Sequence, residues 1–307
     1  MHALIVTGMY PTPARPGWGV FVRDQVEALN KLDGVDVEVY AIPPGGARGH
    51  WLAARDIRRH YGHSNFDVVH AHFGLSAWPA LLASARRRVV TLHGTDLAHP
   101  RSRAITLSAL RFYDLTATVS AELAQGVPPW ARRREVATLP CGVDIERFRP
   151  RPRTEARAVV GLDPHAPYLL FPADPTRPEK RYDRARAVAG EIPLLVLKDV
   201  DPEKVPLWVN AANAVLVPSD REGFGLAVLE ALACDVPVLA TPVGIAPEVL
   251  NGIEGTHCGP FNVSEWKAAL APYLESDDPR VEGRAQAERY SSERMARRVL
   301  ESWQALG

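Results

Sequence analysis

Short runs of β-branched and apolar residues alternate with longer amphipathic stretches along nearly the whole chain. In the first half the period-two runs predict strands at 3–7, 36–41, 67–71, 89–92, 116–120 and 135–139, and the helical spacings predict helices near 19–32, 50–61, 75–86, 103–111 and 120–125. The second half restarts the pattern, with strands at 168–171, 194–197, 213–217 and 236–240 and helices near 180–190, 203–212, 225–234 and 263–274. A last helix is expected over 282–305, where Met295, Val299, Leu300 and Trp303 share one face. Alternating strands and helices are the pattern of βα units and a parallel sheet. Pro150, Pro152, Pro164 and Pro167 crowd a linker-like stretch, so the boundary is placed between residues 150 and 151. The expected architecture is α/β: two doubly wound domains, 1–150 and 151–281, with the segment 282–307 packing back toward the first. Ligands of such sheets bind beyond the carboxyl ends of the strands, here in the cleft expected between the domains.

Composition narrows the classes. The chain has 307 residues, enough for two cores, with 46% hydrophobic and 23% charged residues as in ordinary soluble proteins. Its net charge is zero, yet residues 1–150 carry eighteen basic against thirteen acidic side chains, and the remainder reverses that excess. Such a mild basic bias is too weak for a nucleic-acid binder. Cys141, Cys234 and Cys258 are odd in number and widely spaced, which fits neither a disulfide framework nor a zinc ribbon and points to a reducing cytoplasm. The chain opens directly into a strand without a signal-peptide pattern. Glu230, Asp235, Pro237 and Pro242 interrupt the most apolar stretch, so no membrane span is expected.

The chemistry concentrates between Ser219 and Cys234. From Leu226 to Cys234 every residue is apolar except Glu230, so this helix is expected to be largely buried. A carboxylate buried there costs several kcal/mol unless donors satisfy it, whether ligand hydroxyls or an arginine or backbone group of the protein. Gly223 and Gly225 strip side chains from the loop that feeds the helix, whose free N–H groups then suit a phosphate; a plain helix start with a solvated Glu222 is the bland alternative. Arg177 and Lys180 follow a strand and could face two phosphates or simply solvent. His93 ends a strand just before a glycine, at the edge where ligands sit, or hydrogen-bonds its own turn.

The run Glu222-Gly223-Phe224-Gly225 through Glu230-Ala231-Leu232-Ala233-Cys234, followed by Pro242-Val243-Gly244-Ile245-Ala246-Pro247-Glu248, resembles the E-x7-E signature of retaining GT-B glycosyltransferases of family 4. Asp67–His72, Val90–Asp96, Thr118–Ser120 and Cys141–Phe148 resemble further family segments in the same order, so the likeness covers essentially the whole chain. The resemblance implies sugar transfer from a nucleotide-diphosphate sugar to a hydroxyl of a saccharide, lipid-linked or small-molecule acceptor, in the EC 2.4 class, as in cell-envelope glycan or glycolipid synthesis. It assigns the sugar hydroxyls to Glu222, the ribose hydroxyls to Glu230 and the diphosphate to the N–H groups of Gly225 and Leu226, within a donor loop that includes Gly223 and Phe224. His93 would lie by the transferred sugar, Lys180 and Arg177 by the leaving group, and Gly19 and Asp96 on the acceptor side, with Gly19 able to approach a ligand closely. No metal or other cofactor is expected. Ala173 and Asp174 stand where the family has Gly-Arg, and the stretch after Leu197 is shortened by about one strand-helix unit, which leaves the nucleotide open.

Arg55, Arg58, Arg59, Arg86, Arg87 and Arg88 suit an anionic membrane face or a phosphorylated acceptor, or are solvated helix faces; peripheral contact with the inner membrane face is the corresponding expectation. Two other functions compete. A metal-dependent hydrolase would use His70, His72, His93 and Asp96, and a non-catalytic nucleotide-sugar-binding module would bind donor without turnover. A dinucleotide oxidoreductase fails because Gly17-Trp18-Gly19 lacks the third glycine of the fingerprint and lies far past the strand.

Overall fold

The computed structural model describes residues 1–307 as two compact α/β units. The first unit comprises Met1–Ala14, Trp18–Gly142 and Ser292–Gly307, and the second Val143–Ser291 together with Arg15–Gly17. In chain order the first runs β1 (His2–Thr7), α1 (Val20–Asn30), β2 (Asp36–Ala41), α2 (Gly46–Tyr61), β3 (Phe66–His72), α3 (Ala77–Ala80), β4 (Ala85–Leu92), α4 (Thr95–Ala98), α5 (Pro100–Leu110), β5 (Leu115–Thr118), α6 (Ala121–Ala124) and β6 (Ala137–Thr138). The second runs α7 (Arg153–Val159), β7 (Leu169–Phe171), α8 (Tyr182–Ala189), β8 (Leu194–Val196), α9 (Val205–Ala211), β9 (Ala214–Val217), α10 (Leu226–Ala233), β10 (Val238–Ala240), α11 (Ala246–Val249), β11 (His257–Cys258), α12 (Val263–Leu274) and α13 (Arg284–Glu288). The closing helix α14 (Ser292–Gln304) belongs to the first unit.

Both sheets are parallel, in the orders β2-β1-β3-β4-β5-β6 and β11-β10-β9-β7-β8. Each order reverses once, between β1 and β3 in the first sheet and between β7 and β9 in the second. Loops leaving such a pair part to opposite faces of the sheet and open a crevice at the carboxyl ends. One core of the first unit packs α2, α3 and α5 on the sheet through Ile57, Ala80 and Leu107; the other packs α1 and α14 through Val22, Val299 and Trp303. In the second unit Phe171, Leu216 and Trp266 centre the core under α8 and α12. No helix is long and apolar enough to cross a membrane.

Several elements differ from expectation. The boundary by contacts falls between Gly142 and Val143, and the Pro-rich stretch holds the helix α7. Its prolines flank the helix, Pro152 at the N-cap, and its i, i+4 pair Arg153 and Arg157 is buried. Arg157 donates to the carbonyls of Ala211 and Pro164 and to Asn213 Oδ1, so the stretch that its prolines mark as a linker holds a buried clamp. The helix expected over 75–86 is one turn, because the strand β4 begins at Ala85. Arg86–Arg88 are therefore strand residues; Arg87 donates to the carbonyl of Leu306 (2.8 Å), and the Arg88 amide to Asp114. The terminal helix over 282–305 is two helices, α13 and α14, interrupted at 289–291, with α13 in the second unit.

Candidate functional site

Lys180 lies on the loop after β7 and Glu222 on the loop after β9, the strands between which the second sheet reverses order. The loops are tied by the Asp220 amide, which donates to the Glu179 carbonyl (2.9 Å), and by Arg181, which reaches Asp220 at 3.2 Å. The Lys180 ammonium donates to both carboxylate oxygens of Glu222, at 2.7 Å to Oε1 and 2.6 Å to Oε2. Ser219 Oγ donates to Oε1 at 2.7 Å, and Thr241 Oγ1 holds the Ser219 carbonyl at 2.5 Å. The carboxylate is only 9% exposed, so this pair is shielded from water on most sides.

The same loop enters α10 through Gly225 in the left-handed region, φ 95°, with no side-chain cap. The first N–H groups of a helix have no acceptor within it and carry the positive end of its dipole. The turn at Gly244, φ 60°, closes over this loop: the Ile245 amide donates to the Phe224 carbonyl (2.7 Å), and a Cβ at Gly244 would stand 2.4 Å from that oxygen and 2.9 Å from Glu222 Cβ. Gly223 is partly exposed and Phe224 is buried, its ring 6.2 Å from that of Tyr290. Glu230 is partly buried rather than sealed in. Leu226, Ala227 and Glu230 form the stripe of α10 that remains partly open, while Val228, Leu229, Ala231, Leu232 and Ala233 face the core. Arg177 is not drawn to Lys180 and Glu222: half exposed, it donates through Nε and a terminal nitrogen to Glu179 Oε1 at 2.9 and 2.7 Å. Two residues apart on one turn, these two neutralise each other.

A second cluster occupies the reversal point of the first sheet. His72 ends β3, pairing in register with Thr91, and His93 lies two residues past Thr91, so both rings rise from one face. His72 Nδ1 is 3.0 Å from His93 Nε2, and the Gln25 amide nitrogen on α1 is 3.2 Å from His72 Nε2. His70 stacks on His72 at 4.6 Å; its Nδ1 accepts from the Trp303 indole (3.3 Å) and its Nε2 lies 2.8 Å from Thr91 Oγ1. An indole only donates, so the His70 proton is on Nε2. Burial holds all three imidazoles neutral, lowering His72 to about 3 and His70 and His93 well below their usual value. Phe73 and Phe21 pack on the His93 ring at 4.5 and 5.0 Å.

Both residues expected on the acceptor side make close contacts within the first unit. Asp96 is 3% exposed and accepts the amides of Gly74 and His93, both at 2.6 Å, so its carboxylate pins the two loops. Gly19 makes its close approach to its own chain, where a Cβ would stand 2.3 Å from the Met9 carbonyl oxygen. The hydrolase set does not converge on one point: His72 and His93 bond each other, His70 turns to Trp303 and Thr91, and no trio of potential ligands has metal-binding geometry. The sequence assigns no site role to Ser219, Thr241, Gln25 or Trp303, although Trp303 is expected on the apolar face of the last helix and Ser219 opens the segment around Glu222. Ser219 stands three residues before Glu222, which is a local signal; Gln25 and Trp303 reach their histidines only through the fold.

The profile of the family described as Glycosyltransferase Family 4 matches residues 16–147, and that of Glycosyl transferases group 1 matches residues 158–294. The D-inositol 3-phosphate glycosyltransferase of Pseudarthrobacter chlorophenolicus is 28% identical over 308 residues, covering 81% of this chain and 73% of that protein. A second enzyme of that name, from Catenulispora acidiphila, is 28% identical over 275 residues, covering 69% of this chain and 63% of its own length. The chain thus spans about two thirds of the length of such relatives. Among solved structures, sucrose-phosphate synthase from Thermosynechococcus elongatus aligns with TM-score 0.75 at 18% identity, over 100% of this chain and 99% of that one. Anabaena HepE in complex with UDP and glucose aligns with TM-score 0.72 at 16% identity, over 99% and 100%. The shared fold is GT-B.

Proposed function

The chain belongs to the group 1, family 4 glycosyltransferases, and from that premise we propose that it moves a sugar from a nucleotide-diphosphate sugar to an acceptor hydroxyl with retention of anomeric configuration. The observation that carries the reading is the Lys180–Glu222 pair at the strand-order reversal, beside the glycine entry of α10. An ammonium has three protons to donate, and Glu222 takes two. The third is left for a phosphate oxygen, and the leading N–H groups of α10 offer further donors for the diphosphate. Together they offset the charge that builds on the leaving group as the glycosidic bond breaks. Glu222 Oε1 already accepts from Lys180 and Ser219, whereas Oε2 accepts from Lys180 and keeps a lone pair for a sugar hydroxyl. Glu230, on the partly open stripe of α10, is assigned to the ribose hydroxyls, and His93 to the transferred sugar. No metal is assigned a step, and the acceptor is a saccharide, a lipid-linked glycan or a small hydroxyl compound. UDP, the nucleotide held by Anabaena HepE, is the first donor nucleotide to test.

Nucleotide release from a panel of nucleotide sugars, measured in buffer with EDTA, tests the assignment. Lys180→Ala and Glu222→Gln should each slow turnover at least about tenfold, roughly 1.4 kcal/mol of barrier. Arg177→Ala, which loses an exposed pair with Glu179, should change it by about twofold or less. Turnover unchanged in both of the first two variants, in protein that keeps its thermal midpoint, would overturn the reading. Rates restored only by added metal would instead return the hydrolase.

A further inference from the structure

Of the ten large apolar side chains exposed on the chain, eight lie on one side of the first unit, carried by or adjoining α2, α3, α5 and the short turn at Pro129–Ala131. The opposite side, covered by α1 and α14, exposes only Trp18 just before α1, and the second unit exposes only Val159. All of these elements pack their inner residues into one layer on the sheet, so their outer residues share a face. Trp78 links two of them: its indole donates to the Ile105 carbonyl (3.2 Å) and its ring meets Phe112 at 5.9 Å. Trp51 and Trp130 protrude furthest, at 62% and 72% exposure. Trp130 also borders a groove of about 460 Å³ floored by Leu97 and Leu107, with Arg103 at its side.

The charge on this face is predominantly positive. Helix α2 carries Arg48, Arg55, Arg58 and Arg59 against the single acid Asp56, which accepts from the Tyr40 hydroxyl. Helix α5 has Arg101 and Arg103 and no acid. We infer that this face docks on the surface of an anionic phospholipid bilayer, with Trp51, Trp78 and Trp130 at headgroup depth and the arginines on lipid phosphates. Tryptophan suits that depth because its ring is apolar and its N–H polar, and arginine stems extend over apolar surface while their heads stay in the headgroup layer. A second copy applied face to face would oppose arginine with arginine, which disfavours self-association as the covering partner. The inference stands on this face alone and does not depend on the donor chemistry.

Flotation of the unaltered protein with phosphatidylcholine vesicles, with and without phosphatidylglycerol, is the first measurement. Binding is expected only with phosphatidylglycerol, weakening roughly tenfold as salt is raised from low to high ionic strength. Lipids brominated on the acyl chains should quench tryptophan emission in the bound state, a readout that needs no variant. The doubly substituted chains Trp51→Ser/Trp130→Ser and Arg58→Glu/Arg59→Glu should each lower partitioning about tenfold with the thermal midpoint retained. Absence of the unaltered protein from the floated anionic vesicles, or no quenching, overturns the inference. So does equal partitioning of folded variants. A dimer in sedimentation that the same substitutions dissolve would assign the face to a second copy instead.

Discussion

Gln25, His72 and His93 form a chain in which one hydrogen-bond direction sets the next. The Gln25 amide nitrogen can only donate, so His72 accepts at Nε2 and carries its proton on Nδ1. That proton is donated to His93 Nε2, which leaves the His93 proton on Nδ1, on the other side of the ring. Nitrogen-15 chemical shifts of the histidine side chains should therefore report His93 as the Nδ1–H tautomer and His70 as the Nε2–H tautomer. Gln25→Leu removes the donor that fixes the direction, and should populate the Nε2–H form of His93 while leaving His70, held by Trp303, unchanged. An unshifted His93 in the folded variant would mean that the packing of Phe21 and Phe73, not the amide, selects the tautomer. Strand periodicity put His70 and His72 on one face from the sequence, but the direction of the chain depends on Gln25, which comes from a helix following another strand.

Helices α1 and α10 are each entered through a left-handed glycine, Gly19 at φ 78° and Gly225 at φ 95°, with no side-chain cap. Gly19→Ala must place a Cβ 2.3 Å from the Met9 carbonyl oxygen while holding a backbone that disfavours side chains. A loss of about 1–3 kcal/mol in urea unfolding is expected. Gly17→Ala, with nothing within 4 Å, should stay within about 0.5 kcal/mol. Equal effects at the two sites would show that the entry to α1 relaxes around the methyl group. The strand and helix types along the chain were largely legible because burial on both faces of a parallel sheet leaves plain apolar runs, as at Leu4–Val6 and Val215–Val217. The errors fell where charge and structure part company. Arg86–Arg88 look like a solvated helix face and are the start of a strand; Arg153 and Arg157 look like a linker and are buried in a helix. In the site, Lys180 and Glu222 were each legible, but their direct pairing follows from strand order, which a local pattern does not encode.

At the scale of the whole molecule, the histidine cluster ties stability to pH with a definite sign. His70, His72 and His93 have folded-state pKa values lowered by burial, His72 to about 3. In the unfolded chain each takes up a proton as pH falls through about 6.5, while the folded protein excludes it until far lower. The unfolded state thus binds more protons below about pH 6.5, so stability falls with pH there and is indifferent to these groups above it. Each such histidine adds at most about 1.4 kcal/mol per pH unit to the slope of unfolding free energy. Urea unfolding of the intact chain, followed between pH 6 and 5 by the emission of Trp303 and its companions, should show this slope. His72→Gln removes one titrating group without adding a charge, so its slope should be shallower by about 1.4 kcal/mol per pH unit or slightly less, whatever its stability at neutral pH. The separation matters because lost packing shifts the whole curve, whereas only a lost proton changes its tilt. A variant with the parent's tilt would place a proton on His72 in the folded state and break the neutral chain from Gln25 to His93 on which the Nδ1–H assignment rests.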